Sequence, residues 1–173
     1  MLFLPILLFL FTSKKNMDGL ESDTIGGFNS MLKKQQKKEA DALGDAIKHI
    51  KNIHKYARDE DRPSKTLFII TTDGMENASI RFNFKEIRNL IEAQKENGWE
   101  FIFLGANIDA VEVAEHIGIS AKRAVNFHND SQGIAHAFLG FSDFVVSALT
   151  SATLSEVGDN WRKNLDKDFK SRK

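Results

Sequence analysis

The chain has 173 residues, enough for one domain with its own core and too few for two comfortable ones. Its 42% apolar and 28% charged content is that of a soluble globular protein, and disorder or an integral membrane class is disfavoured. The formal net charge of zero removes the broad positive field of a nucleic-acid binder, and the absence of cysteine excludes disulfides, thiolate metal sites and cysteine nucleophiles and fits the cytoplasm.

The first apolar run, Met1 to Phe11, contains Pro5 and is followed by Thr12-Ser13-Lys14-Lys15. A signal peptide carries its positive charge ahead of the apolar run and ends on small residues; here the lysines follow and no Ala-x-Ala pattern appears. The run is also shorter than the ~20 residues of a membrane helix. Ile6 to Phe11 is therefore expected as a buried first strand, and the alternative for residues 1 to 11 is a targeting segment, with secretion or membrane anchoring. No membrane partner is expected.

Helical spacing follows at Leu43, Ile47, Ile50 and Ile53, ended by Asp59-Glu60-Asp61-Arg62-Pro63-Ser64. Leu67 to Thr71 reads as a strand, Phe84 to Glu96 as a helix closed by Asn97-Gly98, and Phe101 to Leu104 as the next strand. Val111, Val113, Ala114 and Ile117 mark a short helix, Ala124 to Phe127 a last short strand, and Ser131 to Ala148 a final amphipathic helix. Trp161 to Lys173 is charged and expected to be frayed or disordered, so the domain is placed at residues 1 to 150 with a polar tail at 151 to 173. Three of the strand runs are nearly continuous in apolar residues, as strands buried on both faces are. Strand and helix alternate, which predicts right-handed βαβ crossovers. The expected fold is α/β, a doubly wound, Rossmann-like and mostly parallel sheet of about four strands with flanking helices.

In such sheets ligands collect beyond the carboxyl ends of the strands. Thr71-Thr72-Asp73-Gly74 stands there: Asp73 follows an apolar strand, and Gly74 permits a sharp turn. The carboxylate of Asp73 suits a hard cation such as magnesium or manganese, or serves as a turn former or helix cap.

Thr72-Asp73-Gly74-Met75-Glu76-Asn77-Ala78-Ser79 is similar to the fourth-strand metal loop of standalone bacterial von Willebrand factor A proteins. Trp99 to Ala110 resembles that family's fifth strand and loop, and Gly19 to Asn29 its first helix, so the resemblance spans most of Met17 to His128. It implies a shortened von Willebrand factor A fold and a protein-binding role. The family's metal-ion-dependent adhesion site uses an Asp-x-Ser-x-Ser loop, a Thr in a second loop and an Asp after the fourth strand. Here Thr12, Lys14 and Asn16 stand where the first loop's ligands belong, Asp41 takes the place of the Thr, and Asp73 is the intact member. Lys14 would repel a cation. The resemblance thus implies a degenerate site, with Asp73 and more weakly Asp41 as the metal candidates.

Between the first helix and Asp41 the family has two further strands, and Met31 to Ala40, rich in lysine and glutamine, fits neither. In the family's order 3-2-1-4-5-6 their loss puts the first strand at an edge, open to pairing with another chain. The expected partner is another protein, with a homo-oligomer through the first-strand edge as one form. His49, His54, His116, His128 and His136 lack the spacing of a helical zinc site and read as solvated or packed; Lys33 to Lys38 reads as a solvated face, and the phenylalanines from Phe138 to Phe144 as core. Two other functions remain open: a magnesium-dependent hydrolase or phosphotransferase using Asp73, for which Asp109 is the candidate second carboxylate, and a metal-free assembly subunit.

Overall fold

The computed structural model describes residues 7–13, 39–72, 82–106 and 108–172, with side chains from residue 41 onward. The expected first helix at Gly19 to Asn29, the lysine run at Lys33 to Lys38, and Asp73 lie outside the described residues. In chain order the elements are β1 (Leu7–Ser13), α1 (Glu39–Tyr56), β2 (Lys65–Thr72), α2 (Phe84–Glu96), β3 (Trp99–Ala106), α3 (Ala110–His116), β4 (Ala124–Phe127), α4 (Ser131–Thr150) and α5 (Lys163–Ser171). Single 3-10 turns lie at Asp59–Asp61, Ala121–Arg123, Leu154–Glu156 and Asp159–Arg162.

Among the described residues the sheet has four strands in the order β1-β2-β3-β4. β2, β3 and β4 are parallel, with Phe68 opposite Phe101 and Leu104 opposite Val125. The fold is α/β, with three parallel strands flanked by helices. β1 takes the edge position expected for it but runs antiparallel to β2, Leu7 opposite Thr71 and Ser13 opposite Lys65. This corrects the uniform βαβ reading of the amino-terminal part. A continuous apolar run specifies burial on two faces and is silent about direction, so Leu7–Ser13 fits the edge either way.

The period of two along β2 and β3 divides the core. Phe68, Ile70, Phe101 and Phe103 face one layer, where Leu43, Ile47 and Ile50 of α1, Ile87 and Ile91 of α2, and Ala110 and Ala114 of α3 close over them. Leu67, Ile69, Ile102, Leu104 and Val125 face the other, under Ala137, Phe144 and Ala148 of α4 and the carboxyl-terminal residues Leu154, Val157, Trp161 and Leu165. Each fully buried Leu, Ile, Val or Phe among these is worth about 1.5–3 kcal/mol against exposure. The helices start and stop as their end residues dictate: Asn83 and Glu86 form a reciprocal capping box at α2, while Gly98 and Gly118 adopt φ of 79° and 83° just past α2 and α3.

The segment from Trp161 to Ser171 is packed rather than frayed. Trp161 and Leu165 are buried, and the Trp161 ring meets Phe144 edge-on at 5.7 Å. Gly140 is where α4 and α5 touch, since a Cβ there would run into Leu165 and lie 2.9 Å from the Trp161 carbonyl oxygen. Arg123 secures the approach. It is buried beside Glu100 at 3.5 Å, donates to the Leu154 and Ser155 carbonyls at 3.3 Å each, and lies 5.1 Å from the centre of the Phe144 ring. Charge alone hid this in the sequence, because a few apolar side chains suffice once Arg123 and Glu100 neutralise each other.

Two outcomes follow for stability. Arg123→Met leaves Glu100 buried without its cation and frees two carbonyls, so chemical denaturation should register a loss of about 3 kcal/mol or more. On α1, His54 meets Trp99 edge-on at 5.1 Å, and burial, followed by the Arg62 charge, lowers its pKa from the ordinary 6.5. A lowered folded pKa means the unfolded chain takes the proton first. Its contribution is present above pH 6.5 and declines as pH falls toward the folded value, so melting temperature should drop through that window and His54→Gln should flatten the drop.

Candidate functional site at the carboxyl ends of the strands

The parallel strands deliver Thr72, Ala106 and Phe127 to one end of the sheet. Thr72 is buried, and Asp73 is the next residue in the chain. Asp41 belongs to the first turn of α1 and is 4% exposed. Its Oδ1 accepts a hydrogen bond from the Phe82 amide at 3.0 Å, joining the start of α1 to the segment that leads into α2. Neighbouring contacts fix the same point. A Cβ on Gly44 would fall 2.7 Å from the Phe82 ring, and the Lys48 ammonium sits 4.4 Å from that ring's centre. Phe82 is thus gripped by three residues of one helix face, and Asp41 contributes a brace.

Asp109, the candidate second carboxylate, is also committed. Its Oδ1 accepts from the Val111 and Glu112 amides at 3.1 Å each and caps α3. The turn it opens is closed further by Asn126, whose Oδ1 accepts from the Ala110 amide at 2.9 Å and ties β4 to the start of α3. A Cβ on Gly105 would come within 2.7 Å of the Ala110 Cβ, so only glycine lets the end of β3 approach α3 this closely. Asn126 was absent from the sequence reading. Its signal was the one amide side chain inside the apolar strand Ala124–Phe127.

A second polar cluster joins the start of α4 to α5. Asp130 Oδ1 accepts from the Gly133 amide at 2.7 Å, and Arg172 bridges Asp130 and Asp168. Gln132 donates to Asp168 Oδ1 at 3.1 Å, and His136 Nε2 lies 3.6 Å from the same oxygen. His128 stacks on Phe169 at 4.8 Å with Nε2 3.2 Å from its carbonyl oxygen. The Gly133 amide, then Arg172, holds the Asp130 carboxyl below the usual carboxylate value. Every carboxylate here has donors supplied by the chain, and the cluster fastens two helices together.

Among the described residues no three His, Asp or Glu side chains converge as a metal-binding group. Magnesium requires near-octahedral oxygen donors. Asp41 and Asp109 instead spend oxygens on backbone amides at separate turns, and the described donors do not gather into such a set.

Asp41→Ala strands the Phe82 amide in the interior and should cost about 1–3 kcal/mol in urea denaturation. Asp109→Ala, the loss of a cap, should cost about 1 kcal/mol. Similar small losses with no change in metal response would be the signature of structural carboxylates.

No family model matches the chain, and neither a curated protein nor a solved structure matches it.

Proposed function

We propose that the chain is a protein-interaction module of the von Willebrand factor A type with a degenerate metal-ion-dependent adhesion site, and not an enzyme. The observation that carries this reading is β1. Among the described strands it ends the sheet, and its seven residues, Leu7–Ser13, contain no charge, proline or glycine. Edge strands that stay solitary are normally blunted by lysine, proline or a bulge, and an unblunted one offers a row of backbone donors and acceptors to another chain. The opposite edge, β4, is only four residues long and offers far less.

Two further points support the metal-poor part of the reading. Lys14 stands in the sequence where an oxygen ligand would be needed, and Asp41, the residue in place of the second-loop threonine, bonds the Phe82 amide. The partner is another protein, with a second copy of this chain through β1 as the simplest case, because two identical edges can pair antiparallel about a twofold axis.

Magnesium or manganese titration followed by thermal melting tests the first part. The expected result is no stabilisation of the intact chain and none of Asp73→Ala; stabilisation of the intact chain that Asp73→Ala loses would overturn the degenerate site. Light scattering over a dilution series tests the second. Self-association that Thr12→Lys weakens is expected, and a stable monomer throughout the micromolar range would exclude pairing through β1.

A further inference from the structure

The exposed apolar side chains of α4, Phe138, Leu139, Val146 and Leu149, are chemically inert, and Phe138 is not the core residue its spacing suggested. The end of α2 is different. Asn97 caps that helix and Gly98 follows it, the one Asn-Gly pair in the 173-residue chain. Both residues are exposed, and a Cβ at Gly98 would meet nothing within 4 Å. An asparagine side-chain amide is an electrophile, and the main-chain nitrogen of the following residue is the nucleophile nearest to it along the chain. Glycine leaves that approach unscreened because it has no Cβ.

In the closed cap both reacting groups are engaged. The Gly98 N–H donates to the Lys95 carbonyl at 3.0 Å, and Asn97 Nδ2 donates to the Ala93 carbonyl at 2.9 Å, so nucleophile and leaving group are each bound to the preceding turn. The Asn97 N–H donates to the Gln94 carbonyl at 3.0 Å, and Lys95 Nζ donates to the Gly118 carbonyl at 3.1 Å, which ties the same turn to the residue just past α3. These bonds lie at an exposed helix end, where local opening is easiest.

We propose that Asn97 is a self-modification site gated by the last turn of α2. When the turn opens, the Gly98 nitrogen attacks Asn97 Cγ. The new N–Cγ bond closes a succinimide ring, and the Cγ–Nδ2 bond breaks as ammonia leaves with the Gly98 proton. Water then adds to either ring carbonyl carbon, and the ring C–N bond at that carbon opens. Addition at Cγ leaves aspartate; addition at the main-chain carbonyl leaves isoaspartate, with the chain routed through Cγ. Water is the only co-reactant, and nothing is oxidised or reduced.

The product falls at a sensitive place. Trp99 begins β3, all eight residues of which are buried, and His54 meets the Trp99 ring at 5.1 Å. Isoaspartate lengthens the main chain between α2 and this strand. Either product also sets a negative charge at the carboxyl end of a helix, where the dipole is already negative. Modification therefore loosens the turn that resisted it, and the chain keeps a covalent record of having opened there. None of this depends on the metal-site reading or on β1.

The test incubates the full chain at mildly alkaline pH with and without unfolding urea and reads deamidation as the mass gain of the peptide containing Asn97. Isomerisation at Asp18-Gly19 or Asp73-Gly74 leaves mass unchanged and does not interfere. The peptide should convert in urea, and in buffer about tenfold or more slowly. Glu96→Gly, at an exposed position in the last turn of α2, should raise the ratio of the buffer rate to the urea rate about threefold by easing the opening. Gly98→Ala should slow conversion in urea, where its cost to the fold does not enter. Conversion in buffer as fast as in urea, or a rate ratio that Glu96→Gly leaves unmoved, overturns the gate. Absence of conversion in urea, or Gly98→Ala converting there as fast as the parent chain, overturns the site.

Discussion

Strand β3 is buried along all eight of its residues, and the rest of the molecule is arranged to keep it so. A parallel strand in the middle of a sheet has no solvated face, so each of its side chains needs a cover from one side or the other. Phe101 and Phe103 obtain theirs from α1, α2 and α3, and Ile102 and Leu104 from α4 and the carboxyl-terminal segment. The requirement explains why residues beyond α4 are indispensable. α4 alone cannot close the second layer, and Trp161 and Leu165 complete it.

The same requirement decides what the polar groups near the strand ends do. Asp41, Asp109 and Asn126 each accept a hydrogen bond from a main-chain amide at the point where a helix or its leading segment meets the sheet. A short connection buries backbone donors that helix and sheet leave unmatched, and a side-chain oxygen is the cheapest partner. Carboxylates at the carboxyl end of an α/β sheet invite a catalytic or metal-binding reading. Here the described ones hold turns closed, and the interaction surface proposed for the chain is the β1 edge.

Much of the fold was legible because apolar periodicity reports burial directly. Ala124 to Phe127 and the start of the final helix at Ser131 coincide with β4 and α4, and Asn97-Gly98 closes α2 through the positive φ of Gly98. The direction of β1 was not legible, since direction depends on where the neighbouring strand's hydrogen-bonding groups fall and not on which residues are apolar. Nor was the packing of α5, which rests on Trp161, Leu165 and the Arg123 ion pair, three details diluted by surrounding charge. At the candidate site the sequence located Asp41 and Asp109 but assigned them by residue type. Their roles depend on amides of residues 82, 111 and 112, and for Asp41 that partner is far away in the chain.

The grip of Arg123 on the Leu154 and Ser155 carbonyls has a temporal side as well. Those residues are made after β1 to β4, so during synthesis Phe144 and the neighbouring side of α4 stay open until the segment from Leu154 to Leu165 has left the ribosome. Arg123 therefore acts as a closing latch, and the nascent chain is most exposed to wrong partners in the interval before it engages.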